Sequence, residues 1–171
     1  MMSQQLIVLA GLPGSGKSTV AEALSRHFSL PLISVDPIEA AMWRNGLSKD
    51  QTGIAAYGVA QALAGEQLRL GHSVIVDAVN PVEAPRAGWR ELAAKYRVEL
   101  KIIECVCADQ ATHRRRIETR IRNIEGMAEV TWARVEQRRA EYEAWTDARL
   151  TLDTSMQPPE RLLVEAIDYL A

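Results

Sequence analysis

Gly11-Leu12-Pro13-Gly14-Ser15-Gly16-Lys17-Ser18 has the form GxxxxGK[ST], and its surroundings decide the fold. Leu6-Ile7-Val8-Leu9-Ala10 ahead of it is a continuous apolar run, as expected of a strand buried on both faces. Behind it, Val20, Ala23, Leu24 and Phe28 recur at helical spacing. A strand, a tight turn and a helix in that order aim successive backbone N–H groups, and the positive end of the helix dipole, at one anion. Glycines are required because side chains would keep phosphate oxygens away from the backbone. Lys17 then reaches the β- and γ-phosphates of a nucleotide, and the Ser18 hydroxyl offers a position on Mg²⁺. A dinucleotide loop of the GxGxxG type fails at Thr19, where its spacing demands glycine.

Working outward, strand-like and helical patterns alternate. Strands are expected over 6–10, 32–35, 73–78, 98–106 and 149–153, and helices over roughly 17–27, 37–45, 51–70, 81–96, 109–122, 129–146 and 159–170. Such alternation, with apolar strands, predicts an α/β fold with a parallel sheet covered by helices on both faces. The Ala/Gly-rich run from Gly53 to Gly65 suits a helix packed closely on its neighbours. No repeat, low-complexity tract or linker divides the chain, so residues 1–171 read as a single domain.

Two strand-end carboxylates stand out. Ser73-Val74-Ile75-Val76-Asp77 is an apolar strand ending in an acid, and ligands sit at the carboxyl ends of parallel strands. Asp77 is therefore a candidate for Mg²⁺, directly or through water. Asp36 ends Leu32-Ile33-Ser34-Val35-Asp36 at the same edge, where it can orient an acceptor hydroxyl and take its proton. Asp36-Pro37-Ile38-Glu39 also reads as a helix cap with an acid at its third position, so base and cap both stand. For Asn80, in Asn80-Pro81-Val82-Glu83, capping is the expected job.

Of 16 arginines, eight lie between positions 114 and 139. Arg116 and Arg120 are i, i+4 on one helical face, with Arg115 and Arg122 off it. Asn123-Ile124-Glu125-Gly126 breaks that helix before another begins near Glu129. A helical, Arg-rich lid over about 114–140 follows, able to neutralise transition-state charge. Interspersed glutamates put the other arginines, including Arg134 and Arg139, on solvated faces. His27, His72 and His113 show no ligand spacing and read as surface or loop residues. Trp89, Trp132 and Trp145 read as packing residues, as does Trp43, although a substrate wall is open to it.

Hydrophobic residues make up 47% and charged ones 25%, with a net charge of −2, so nothing pulls the chain generally toward nucleic acid or an anionic membrane. The Met1-Met2-Ser3-Gln4-Gln5 start carries no basic residue and the apolar run after it is short, which predicts neither a signal peptide nor a membrane span. Cys105 and Cys107 lie two apart on one strand face, unsuited to a disulfide, and point to a reducing cytoplasm.

Taken together, these motifs resemble the small P-loop kinases that phosphorylate hydroxyl groups, a group including chloramphenicol phosphotransferase, zeta toxins and the kinase domains of polynucleotide kinases. The shared pattern runs from Gly11–Thr19 through Asp36, Gly71–Asn80 and Arg116–Arg120 to Leu152–Ser155 and Pro158-Pro159-Glu160. The resemblance implies a P-loop NTPase fold with strand order 2-3-1-4-5, a lid after the fourth strand, and an adenine bordered by the loop after the fifth. It implies nucleotide contacts from Gly11, Pro13, Gly14, Ser15, Gly16, Lys17, Ser18, Thr19, Arg116 and Thr154. Val35–Met42 is similar to the stretch of chloramphenicol phosphotransferase that carries its base, whereas the phosphate loop is nearer the polynucleotide kinase type. Pro37, Ile38 and Glu39 stand where polynucleotide kinases usually place a basic residue, and 171 residues leave little room for zeta-toxin additions.

The expectation is an ATP-dependent phosphotransferase using Mg²⁺, acting on a hydroxyl of an unidentified small molecule, as a monomer or homodimer. Lys17, Asp36, Arg116 and Arg120 are its catalytic candidates, and Ser18 and Asp77 its metal ligands. The alternatives are a nucleotide-dependent accessory ATPase or switch, and a polynucleotide 5′-hydroxyl kinase.

Overall fold

In the computed structural model, which describes residues 3–171, β1 (Gln5–Ala10) lies in a parallel sheet between β3 (Val74–Asp77) and β4 (Glu99–Val106). β2 (Leu32–Ser34) flanks β3, and β5 (Leu150–Asp153) flanks β4. The order is thus β2-β3-β1-β4-β5, as the family resemblance implies. The helices are α1 (Lys17–Phe28), α2 (Val35–Arg44), α3 (Lys49–Arg69), α4 (Glu83–Tyr96), α5 (Gln110–Thr119), α6 (Trp132–Glu141) and α7 (Pro159–Leu170).

Side chains alternate across a strand, so each strand feeds two cores. Leu6, Val8, Val74 and Val76 meet Ala56, Ala60 and Ala64 of α3 and Trp89 of α4 on one face. Ile7, Leu9, Ile75 and Ile103 meet Leu24 of α1 and Leu162 and Leu170 of α7 on the other. Each fully buried Leu or Ile contributes about 1.5–3 kcal/mol, which makes β1, buried at all six positions, the centre of the fold. The alanine row of α3, four residues apart, lets that helix approach the sheet closely. Register pairs Asp77 with Leu9 on one side and with Ser34 on the other, bringing the ends of three strands to one edge. No helix among the described residues is long and apolar enough to cross a membrane.

Several element ends differ from expectation. α4 starts at Glu83 behind Val82, so Asn80 is not its cap. Asn80 is fully buried with φ of 52°, a conformation asparagine tolerates better than most residues. Its Nδ2 donates to the Leu9 carbonyl at 3.0 Å, and its Oδ1 accepts from Trp89 Nε1 at 2.8 Å. Its backbone N–H donates to the Tyr57 hydroxyl at 2.9 Å. One residue thereby joins β1, α3 and α4.

α6 stops at Glu141 rather than 146, and the chain just beyond it packs on the Arg86 guanidinium. That guanidinium, 2% exposed, donates to the carbonyls of Asn80, Pro81, Glu143 and Ala144 and lies 3.9 Å from the Trp145 ring centroid. α5 likewise ends at Thr119 instead of 122, and the Arg122 N–H donates to Glu129 Oε1 at 2.9 Å.

Asn80→Ala strands the Trp89 N–H in the core and leaves the Leu9 carbonyl with only the Ala78 N–H at 3.4 Å, so it should cost about 1–3 kcal/mol in urea unfolding. Asn80→Gly restores backbone freedom without the bonds and should remain destabilised; wild-type stability in either variant contradicts the assignment.

Candidate active site

The loop between β1 and α1 is shaped from outside. Gly11 and Gly16 have φ of 138° and 91°. A Cβ at Gly11 would strike the Cys105 carbonyl oxygen, and one at Gly16 would come within 2.9 Å of the Thr154 methyl. Both positions therefore need glycine on conformational and steric grounds. Two loop carbonyls are held from behind. His113 Nε2 bonds the Pro13 carbonyl at 2.7 Å, and Thr154 Oγ1 donates to the Ser15 carbonyl at 2.7 Å. With Gly16 at the N-cap and no side-chain cap on α1, the first-turn N–H groups are left for an anion. Lys17 is buried, and Lys17, Ser18 and Thr19 line the cavities at this helix end.

Three adjoining cavities run along the sheet edge. The first, about 350 Å³, is lined by Gly14, Gly16, Lys17–Val20, Arg116, Arg120 and Thr154, with Pro159, Leu162 and Leu163 forming an apolar wall. Its neighbour, about 460 Å³, shares Lys17, Ser18, Thr19 and Arg120 with it and adds Asp36, Asp77 and Arg122. The third, about 400 Å³, shares Pro13, Asp36 and Arg122 with the second and extends past Trp43.

Asp77 is 7% exposed, and its Oδ1 finds no hydrogen-bond partner. An orphaned carboxylate oxygen in a cavity shared with the Ser18 hydroxyl fits a hard cation that keeps waters and phosphate oxygens as its other ligands. Among the described residues no group of three His, Cys, Asp or Glu side chains could cage a metal by itself.

Asp36 is not the cap of α2. The helix begins one residue earlier at Val35, with Ser34 at the N-cap, which puts Asp36 in the first turn. Its Oδ2 accepts from Arg122 at 2.8 Å. Arg122 was expected to face away, yet the end of α5 at Thr119 leaves this segment non-helical and brings Arg122 into both cavities beside Asp36. In extended chain, residues two apart share a side, so recognising the helix stop would have paired Arg122 with Arg120. Arg44 also donates to the Glu125 carbonyl, tying the segment between α5 and α6 to α2.

Arg116 and Arg120 both line the first cavity but differ in engagement. Arg116 donates to Thr154 Oγ1 and to the Thr154 carbonyl, each at 2.7 Å. Arg120 Nε and Nη2 are buried without a partner. Burial, and then repulsion from Arg122, holds the Arg120 guanidinium below its ordinary pKa. Such a cation gains most when an anion arrives. Arg115 is exposed and bonds Thr112.

Other expectations need correction. His113 is 1% exposed, not a surface residue, and packs edge-on against Trp132. Arg139 is exposed, as expected, and also bonds His113 Nδ1 at 3.2 Å. A neutral imidazole with its proton on Nε2 satisfies both partners. Arg134, though exposed, lines the third cavity. Trp43 forms part of the same wall, its Nε1 donating to Thr52 Oγ1 at 2.7 Å. Cys105 and Cys107 are free and buried. Burial pushes the Cys105 thiol up to about 12 and Cys107 in the same direction, which leaves neither as a thiolate nucleophile at neutral pH.

With this geometry in place, comparison with known proteins gives a consistent answer. The AAA domain family model matches residues 6–145. The chain belongs to that family. No curated protein matches the sequence. Among solved structures, a provisionally named kinase from Chloroflexus aurantiacus J-10-fl is 22% identical, covers 100% of both chains and superposes with a TM-score of 0.78. A gluconokinase from Sinorhizobium meliloti 1021 is 21% identical over 99% of this chain and 93% of its own, with a TM-score of 0.69. The Mycobacterium tuberculosis APS kinase in complex with AMPPNP and APS is 22% identical over 99% and 98%, also with a TM-score of 0.69. The fold of this AAA domain chain is that of the small P-loop kinases.

His113 gives a pH test. Burial, followed by the charge of Arg139, lowers its pKa from the ordinary 6.5. The folded state thus favours the neutral ring. Its stability contribution is complete above 6.5 and lost as pH falls from there toward the depressed value. His113→Gln should lose less stability than wild type between neutral and acid pH in parallel urea titrations; identical pH slopes contradict the assignment.

Proposed function

We propose that the chain is an ATP-dependent phosphotransferase that moves the γ-phosphoryl group to a hydroxyl of a small molecule. The run of three cavities carries this reading. The first, with an apolar wall from α7, suits a nucleotide base and ribose, and the second suits the phosphates. The third, reached past Asp36, is what an acceptor needs. A nucleotide-dependent switch or accessory ATPase uses the first two and has no use for the third. A polynucleotide 5′ end needs an open channel, whereas here the segment 120–131 is fastened over α2 through Arg122 and Arg44. Gluconokinase and APS kinase, named for small acceptors, share this fold and support the same class.

The chemistry assigns each residue a task. Loop amides and Lys17 hold the β- and γ-phosphates, and Arg120 meets the charge between the first two cavities. Arg116 braces the loop after β5 through Thr154. Ser18 and Asp77 would hold Mg²⁺, which supplies charge neutralisation on the phosphates. Arg122 fixes the Asp36 carboxylate through Oδ2, leaving Oδ1 for the acceptor hydroxyl. As the acceptor oxygen bonds to the γ-phosphorus, the bond to the bridging oxygen breaks and its electron pair leaves with ADP. The hydroxyl proton passes to Asp36. Because the transition state is loose, positioning and charge neutralisation carry most of the acceleration. The dependence on ATP and the free cysteines fit a cytoplasmic setting.

Lys17→Ala should abolish transfer while leaving the circular dichroism spectrum unchanged, since the ammonium serves phosphate rather than the core. Near-normal transfer by a folded Lys17→Ala protein contradicts the loop assignment. Asp36→Asn should leave ATP affinity unchanged and lower transfer by about 10²-fold or more, the scale of a positioned general base. Unchanged transfer would remove Asp36 from the reaction.

A further inference from the structure

The third cavity is more basic than a neutral acceptor requires. Lys49, Arg122, Arg134 and Arg138 face Asp36 and Glu39 across it. These cations come from three places in the chain: the start of α3, the segment after α5, and α6. Arg122 is already compensated by Asp36 at 2.8 Å and Glu129 at 3.4 Å. Arg134 donates to Gln137 at 2.6 Å, and Lys49 lies 4.8 Å from the Trp43 ring centroid. Arg138 is half-buried and has neither a hydrogen bond nor a carboxylate partner among the described residues. Arg134 and Arg138 are i, i+4 on α6 and so present one face. Glu39, which accepts from Thr52 at 3.0 Å, is the remaining acid without a cation. The cavity therefore carries a local excess of positive charge in a chain whose net charge is −2.

The phosphates of ATP do not explain this excess. Their cavity is lined by Lys17, Ser18 and Arg120, none of which lines the third. Nor does a neutral polyol, which would leave Arg138 uncompensated on binding. We infer that the acceptor is a small hydroxylated anion, its carboxylate or phosphate ester held by Arg138 and Arg134 while its hydroxyl meets Asp36. A guanidinium pairs with either oxyanion in a forked geometry. Thr52 holds both Glu39 and the Trp43 indole, so the opposite wall is fixed and the anion has one end of the cavity to occupy. This inference rests on the phosphotransferase reading above and specifies its substrate class.

The test is ADP release, with product detection, from matched acceptors. Glycerate and glycerol 3-phosphate are set against glycerol, and gluconate and glucose 6-phosphate against glucose. An oligonucleotide with a free 5′ hydroxyl is run beside them. The anionic member of a pair should have a kcat/KM at least about tenfold higher than its neutral partner, the scale of a charge-assisted bond. Carboxylate and phosphate arms show which oxyanion is used. Arg138→Ala should raise KM for the preferred anion about tenfold or more, with Arg138→Lys between it and wild type, while KM for ATP moves less than about twofold. Preference for the neutral member, preference for the oligonucleotide, or an unchanged acceptor KM in a folded Arg138→Ala protein overturns the inference and leaves phosphotransfer standing. ATP hydrolysis without transfer to any of these compounds overturns both.

Discussion

Everything at the active edge depends on two loop carbonyls being held from outside. The Pro13 carbonyl bonds His113 of α5, and the Ser15 carbonyl bonds Thr154 beyond β5. Turning carbonyls away lets amides point inward, which is the condition for a backbone cradle around phosphate. Gly11 and Gly16 supply the left-handed geometry that allows it, and neither has room for a Cβ. Behind the loop, β1 is buried on both faces, so the strand end that launches the loop cannot drift.

The same anchors couple α5 to the first cavity. α5 contributes His113 to the loop and Arg116 to Thr154, so its position fixes both walls of that cavity. Past Thr119 the chain becomes extended and hands Arg120 and Arg122 different tasks. Arg122 is compensated by Asp36 and Glu129 before any substrate binds, whereas Arg120 is half-buried with its Nε and Nη2 unpartnered. A half-buried cation awaiting its anion costs stability in the free protein and favours the bound state correspondingly. Arg86 and Asn80 keep the far side rigid by joining the end of α6, the loop after β3 and two core helices.

Local patterns made much of this legible in the sequence. The apolar run at Leu6–Ala10, the glycines and the alternation of elements disclosed the sheet and the loop, because burial and backbone conformation act locally. Asp77 was visible as the acid ending an apolar strand. Features set by distant partners were hidden. Asn80 imitates a helix cap yet works as a buried junction, since Leu9, Trp89 and Tyr57 claim its groups. Asp36 looks like an N-cap, but Ser34 precedes it and Arg122, 86 residues away, takes its carboxylate. His113 shows no ligand spacing because its partners are a loop carbonyl and an arginine. The facing of the lid arginines could not follow from helical periodicity when the helix ends at Thr119.

The central claim is that the cleft joins a nucleotide to an acceptor hydroxyl rather than merely hydrolysing it. The most direct measurement follows the label from γ-³²P-ATP incubated with the protein and a small-molecule cell extract, resolved by two-dimensional chromatography. The account predicts a new organic phosphate, acid-stable, formed in step with ADP. Label recovered only as inorganic phosphate, at the same rate with and without the extract, would contradict it.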